Sequence, residues 1–298
     1  DEAGEFVPWR VSSLVTPSYG SAGYQAYVAD VMTAWLDRGV VGWRLDSAWS
    51  VPLAFWRRVL ARVRTKHPKA WFVGQSFDDD VPVAINSSSW TTATEYALMH
   101  GLRDWLAGGD PELALAAIQL HARNSVDHTM YTFVGNHDFA RLADVLPADR
   151  AAASFAVLMT LPGIPAIYYG DEIALSAPAW MQGGSDHLLR PALQPGEMAS
   201  LDAEQVSLLE AVRGLGRLRR DHAWVRTAQV SQLTIASGVL TYQVHSPEGA
   251  LHVKVHPESA ATGDGHDELN GCIIMSGAGW TITAINPSRD ESSLLWSR

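Results

Sequence analysis

Three short polar clusters in the sequence carry residue types that do chemistry together. Arg44 and Asp46 sit two positions apart at the end of the apolar run Val40 to Leu45, Gln75 closes Trp71-Phe72-Val73-Gly74, and Asn136-His137-Asp138 follows Tyr131 to Val134. On an extended segment residues i and i+2 point to the same side, so the Arg44 guanidinium can hold the Asp46 carboxylate ionised and ready to act as a nucleophile. Taken singly, the pair reads equally well as a structural ion pair, and Asp138 as a turn residue satisfying local backbone groups. Taken together, the three clusters lie after successive apolar runs and face one mouth. Several carboxyl-type groups around one bond is the arrangement that cleavage of a glycoside requires.

The elements that position these clusters read as repeated strand-helix units from Ala22 to about His222, the pattern of a parallel sheet covered by helices. Val28, Val31, Met32, Trp35 and Leu36 recur at helical spacing, and Gly39 ends that helix. A strand over Val40 to Leu45 is followed by a helix near Pro52 with Trp56, Val59, Leu60 and Val63 on one face, then by a strand over Trp71 to Gly74. Further strands are predicted at Ala93 to Tyr96, Tyr131 to Val134 and Ala166 to Tyr169, with helices around Leu113 to Ala122, Ala151 to Thr160 and Ala203 to Leu218. From about Ala223 the period changes to two. Val239 to Val244, Leu251 to Val255 and Trp280 to Ile285 alternate as half-buried antiparallel strands do, which predicts a β-sandwich over residues 223–298 behind an α/β portion over 1–222. Ser259 to Asn270 reads as a solvated loop, and its histidines, with His252 and His256, as surface or hydrogen-bonded residues, giving no metal site.

Composition narrows the function classes. With 298 residues, 47% of them hydrophobic, the chain can build a substantial core, and a net charge of -10 argues against a polyanion such as nucleic acid. The single cysteine, Cys272, allows neither an internal disulfide nor a thiolate cluster and fits a reducing, cytoplasmic setting. No apolar run approaches the length of a membrane helix. Among the twelve tryptophans, Trp49, Trp90 and Trp180 fall in expected loops on the catalytic side and are candidates for stacking on sugar rings, with core or loop packing the favoured alternative for any one of them.

Taken together the segments resemble the α-amylase family of glycoside hydrolases. Gly42-Trp43-Arg44-Leu45-Asp46, Gly74-Gln75 and Asn136-His137-Asp138 are similar to the family's segments after barrel strands four, five and seven. Pro162 to Glu172 is similar to its eighth-strand signature, and Gly183-Gly184-Ser185-Asp186 with Arg190-Pro191 to the loop that follows. The resemblance covers about Val15 to His222 and implies a (β/α)8 TIM barrel, of which strands four to eight are present, followed by the β-sandwich. It implies Asp46 as nucleophile, Arg44 as its orienting cation, Asp138 as the second carboxylate and Asn136, His137, Asp186 and Arg190 as substrate contacts. Gln75 stands where the acid/base glutamate belongs.

The run Asp46-Ser47-Ala48-Trp49-Ser50-Val51-Pro52 resembles cyclomaltodextrin hydrolases and neopullulanases more than starch-degrading α-amylases, in which the segment usually ends in Lys-His. The expected substrates are therefore small or cyclic α-glucans, including cyclic maltosyl-maltose. No cofactor is required, and a structural calcium ion is not supported. Strands one to three and the inserted domain of the family have no match here, so an N-terminal portion is expected as a separate chain or fragment; a homo-oligomer stays open. Gln75 reads as a substitution made to hold an intact substrate, against a naturally degenerate site. A transglycosylase and a non-catalytic carbohydrate-binding scaffold remain as alternatives.

Overall fold

The computed structural model describes residues 7–9, 11–77, 80–193, 200–256, 265–269, 272–277 and 280–285, and divides into two compact units, Asp1–Thr94 and Glu95–Arg298. In the first unit, strands β1 (Pro8–Trp9) and β2 (Val11–Val15) pair antiparallel ahead of helix α1 (Ala22–Leu36), which Ser21 caps by accepting from the Tyr24 N–H. Gly39, at φ 101°, turns the chain out of the helix as the sequence predicts. Then follow β3 (Gly42–Leu45), α2 (Leu53–Arg64), β4 (Trp71–Gly74), α3 (Val81–Ser88) and β5 (Thr92–Ala93). Helix α2 buries Phe55, Trp56, Val59, Leu60 and Val63, the stripe that its periodicity gives. The three strands run parallel in the order β3-β4-β5, with Leu45 opposite Gly74 and Val73 opposite Thr92. This register puts Asp46 and Gln75 side by side, each one residue past a strand end.

Gly74 is where that sheet meets Trp90. A Cβ on Gly74 would lie 2.3 Å from the Trp90 ring, and Trp90 is only 4% exposed, so the ring cannot swing into solvent. Trp90 is therefore a packing residue and leaves the set of candidate sugar-stacking tryptophans. Gly74→Ala is expected to cost about 1–3 kcal/mol of stability through overpacking. Urea denaturation checks this, and a loss below about 0.5 kcal/mol would contradict the tight packing.

The second unit comprises α4 (Tyr96–Leu106), α5 (Pro111–Asn124), β6 (Tyr131–Phe133), α6 (Leu142–Val145), α7 (Ala148–Thr160), β7 (Ile164–Ala166), α8 (Pro178–Met181) and α9 (Ala203–Asp221). Six strands follow: β8 (Gln229–Ala236), β9 (Val239–Ser246), β10 (Gly249–Val255), β11 (Gly265–Leu269), β12 (Cys272–Gly277) and β13 (Trp280–Ile285). Strands β6 and β7 pair in parallel, Tyr131 opposite Ile164 and Phe133 opposite Ala166. The last six form one antiparallel sheet in the order β11-β12-β13-β10-β9-β8. Leu240, Val244, Leu251, Val253 and Ile282 of that sheet share a core with Leu102 of α4, Ile118 of α5, Phe155 of α7 and Leu215 of α9. Every residue of α7 from Ala151 to Thr160 is buried, and the two hydroxyls in that stretch, Ser154 and Thr160, are satisfied by the Ala151 and Ala156 carbonyls of the same helix.

Several expectations need correction. Among the described residues the tail, expected as a sandwich, is a single antiparallel sheet packed on helices; the five parallel strands, three in one unit and two in the other, do not form a closed barrel, as strands four to eight alone cannot. The strand expected at Ala93 to Tyr96 ends at Ala93, because Glu95 gives its N–H to the Tyr131 carbonyl and Tyr96 opens α4. The strand expected at Ala166 to Tyr169 lies earlier, at Ile164–Ala166. Within the expected loop Ser259 to Asn270, Gly265–Leu269 is strand β11; a charged composition suits it because it is an edge strand, where charge discourages further pairing. The other residues of that stretch lie outside the described ones. No helix among the described residues is long and apolar enough to cross a membrane.

Candidate active site

In the first unit, strand β3 delivers Arg44 and Asp46 to the same side, and Arg44 Nη1 donates to Asp46 Oδ1 at 2.6 Å. Asp46 faces solvent, its side chain 70% exposed, so this ion pair orients the carboxylate more than it stabilises the fold. Gln75 is buried at the end of β4, its backbone N–H on the Leu45 carbonyl and its own carbonyl accepting from the Trp49 N–H. Its side-chain Oε1 accepts the Ser47 N–H at 2.7 Å, while the Ser47 hydroxyl donates to Asp46 Oδ2 at 3.4 Å. Ser47, in the left-handed region at φ 47°, thus links Asp46 to Gln75. Nothing in the sequence pattern marks Ser47, since its role depends on a backbone conformation that serine seldom adopts. Trp49 is half-buried and meets Phe77 edge to face at 5.7 Å between ring centres.

In the second unit, the loop after β6 carries the other expected residues. Asn136 Oδ1 accepts the Asp138 N–H at 2.9 Å, an Asx turn, and Asn136 Nδ2 donates to the Tyr96 hydroxyl at 3.3 Å. Asp138 Oδ1 lies 3.2 Å from His137 Nε2 and 3.3 Å from Arg190 Nη2. The Arg190 guanidinium also donates to the His137 carbonyl at 3.3 Å. Trp180 Nε1 donates to Asp186 Oδ1 at 3.0 Å, which joins two further candidates. Asn136, His137, Asp138 and Arg190 therefore form one group, and Arg44, Asp46 and Gln75 another. Among the described residues no three His, Cys, Asp or Glu side chains cluster in a way that could hold a metal ion.

Beneath the second group lies a support that the sequence did not reveal. Arg141, 1% exposed, donates from Nη1 to the Tyr169 carbonyl at 2.5 Å and to Asp171 Oδ1 at 3.1 Å. Asp171 Oδ2 has no hydrogen-bond partner among the described residues and lies against Gly135, where an added Cβ would be 2.0 Å away. Burial pushes the Asp171 carboxyl up to about 6, against the opposing pull of Arg141. A carboxyl whose folded-state value lies above its unfolded value of 3.8 binds more protons when folded, so its contribution to stability is present below about pH 4 and is lost as pH rises through about 6. Asp171→Asn removes this dependence. Wild-type stability relative to Asp171→Asn is expected to fall by on the order of 3 kcal/mol between pH 4 and 7, read by chemical denaturation across that range. A difference that stays flat, or grows with pH, would contradict the assignment.

Residues 18–228 match the family model described as the catalytic domain of α-amylase, about seven tenths of the chain. The chain belongs to the α-amylase family. A cyclomaltodextrinase of Geobacillus thermopakistaniensis (strain MAS1) is 28% identical over 215 residues, 70% of this chain and 35% of the relative. Neopullulanase 2 of Thermoactinomyces vulgaris is 30% identical over 159 residues, 50% of this chain and 27% of the relative. The chain thus spans about a third of the length of these relatives. Among solved structures, the ligand-free cyclic α-maltosyl-(1→6)-maltose hydrolase of Arthrobacter globiformis superposes with a TM-score of 0.75 at 21% identity, covering 90% of this chain and 61% of that one. The α-amylase of H. orenii gives 0.74 at 19% identity, covering 93% and 67%. At these identities the structural likeness speaks to fold alone.

Proposed function

We propose that this chain carries the nucleophile and transition-state-binding carboxylates of a retaining glycosidase acting on small or cyclic α-glucans. In this reading Asp46, Gln75 and Asp138 serve one glycosidic bond. Asp46 attacks the anomeric carbon, the bond to the departing oxygen breaks, and that oxygen must take a proton; water then attacks the glycosyl-Asp46 ester, giving up its own proton to a base. Glutamate at position 75 supplies both proton transfers. Glutamine matches its shape but has no acidic proton to donate and no basic oxygen of comparable strength, so both half-reactions are severely slowed while substrate contacts persist. The observation that carries this reading is the Arg44-Asp46-Ser47-Gln75 arrangement, in which the Gln75 amide is held one hydrogen bond away from the residue that touches Asp46. We read Gln75 as a substitution that preserves an intact ligand. Gln75→Glu, assayed on maltodextrins, cyclodextrins and branched oligosaccharides, tests the whole reading.

The substrate class rests on the Trp49-Ser50 pair, which differs from the Lys-His of starch-degrading α-amylases, and on the names of the relatives, which include cyclomaltodextrinase and neopullulanase. Barrel strands one to three and the inserted domain, expected on further polypeptide, are part of this proposal, as is closure of the barrel by them. Whether water or a sugar hydroxyl is the acceptor follows from product analysis of Gln75→Glu with and without added maltose. Transfer products that appear only with maltose identify a hydrolase that also transfers. A second reading, a carbohydrate-binding domain without catalysis, is favoured by Gln75 itself; oligosaccharide binding with no hydrolysis gained in Gln75→Glu would select it.

A further inference from the structure

Arg141 has no part in the bond-breaking steps above, yet its side chain is fully buried and almost fully engaged. Besides Tyr169 and Asp171, it donates from Nη2 to the Leu189 carbonyl at 2.8 Å, and the guanidinium stacks over the Tyr168 ring at 4.2 Å. The Tyr168 hydroxyl donates to the same Leu189 carbonyl at 2.9 Å. Burial pushes the Tyr168 phenol up to about 12, which keeps it protonated and a donor throughout the working range. Leu189 directly precedes Arg190, the residue whose guanidinium holds the His137 carbonyl and Asp138 Oδ1. Arg141 is itself three residues past Asp138. The chain and its hydrogen bonds therefore close a ring: Asp138 to Arg141 along the backbone, Arg141 to Leu189 through space, Leu189 to Arg190 along the backbone, and Arg190 back to Asp138.

A buried arginine is a costly way to fill a core, because its desolvation must be offset by a counter-ion and by several acceptors. Two donors converging on one carbonyl fix a backbone position far better than either alone, since both lone pairs are then spoken for. The carbonyl so fixed belongs to the residue before a long, half-exposed arginine that would otherwise sample many rotamers.

From this geometry we infer that Arg141 and Tyr168 are positioning residues that set the Arg190 guanidinium, and through it the Asp138 carboxylate, by clamping the Leu189 carbonyl. Asp171 is the counter-ion that makes the buried guanidinium tolerable, and Gly135 leaves room for that carboxylate. The relay deepens the proposed reading of Asp138 as a sugar-binding carboxylate and rests on it for its functional consequence.

The test uses the whole chain with 15N-labelled arginine. The Arg190 Nε–H signal, assigned by its disappearance in Arg190→Lys, is expected to shift in Tyr168→Phe and in Arg141→Lys. Tyr168→Phe removes a single hydroxyl and leaves the buried charge pair intact, so it carries the test where Arg141→Lys does not fold. An Arg190 signal unchanged in Tyr168→Phe overturns the relay. A second readout is the affinity for maltotetraose, expected to fall about 3–10-fold in Tyr168→Phe, the effect of one hydrogen bond. Added to Arg190→Ala, the same substitution should have no further effect, because the arm it positions is gone. Equal losses in both backgrounds contradict the relay. Failure of the parent chain to bind maltotetraose would count against the sugar-site reading alone, and the Arg190 signal would still decide the relay.

Discussion

Gln75→Glu is expected to raise hydrolysis of maltodextrins or cyclodextrins by about 10²–10⁴-fold, the range in which a positioned general acid/base contributes. The substitution changes one atom pair in a side chain that is already held. Gln75 is buried, its backbone is bonded to Leu45 and Trp49, and its Oε1 rests on the Ser47 N–H. A glutamate carboxylate accepts that N–H equally well, so geometry is retained and the gain isolates proton transfer. Activity of the variant should fall at high pH as the new acid loses its proton, a limb that the parent protein lacks. An absence of hydrolysis on all three classes of α-glucan, in a variant that remains folded, would end the catalytic reading.

The second large effect is a loss. In the Gln75→Glu background, Asp46→Asn is expected to lower activity by on the order of 10⁴-fold or more, because an amide oxygen cannot form the glycosyl ester on which the double displacement depends. Stability should hardly change. The Asp46 side chain is 70% exposed and its ion pair with Arg44 is open to water, which limits its contribution to about 1 kcal/mol or less. A kinetic assay paired with thermal melting therefore separates chemistry from folding. A variant that keeps more than about a tenth of the activity would remove Asp46 from the nucleophile role.

How far these residues were legible depends on whether a signal lies along the chain or across it. The ends of β3 and β4 could be read because Arg44-Leu45-Asp46 and Gly74-Gln75 directly follow apolar runs, and the parallel register then places Asp46 beside Gln75. Helix α2 was legible from its spacing. Helix α4 was not: Tyr96-Ala97-Leu98-Met99 is a short apolar run that suits strand and helix alike, and the bond from the Glu95 N–H to the Tyr131 carbonyl, which marks the break, is not local in sequence. Strand β8 escaped notice because its register shifts between Ser231 and Thr234, where Gln232 takes φ 50° and breaks the two-residue alternation. Trp90 has the type of a sugar-stacking residue, but the space above Gly74 claims its ring. Arg141, Asp171 and the Leu189 carbonyl are 30 and 48 residues apart in sequence, and no local pattern announces a buried pair of that kind.

The central claim, that Asp46 and Gln75 occupy nucleophile and acid/base positions at one sugar, is tested most directly with an activated substrate on the unaltered chain. Fluoride departs without needing a proton, so α-maltosyl fluoride can glycosylate Asp46 even with glutamine at position 75, and the missing base then leaves the ester to accumulate. Mass spectrometry of the intact protein and its peptides should find one maltosyl group on Asp46, and none in Asp46→Asn. A chain that stays unlabelled under conditions where it remains folded, or a label that persists in Asp46→Asn, would contradict the account.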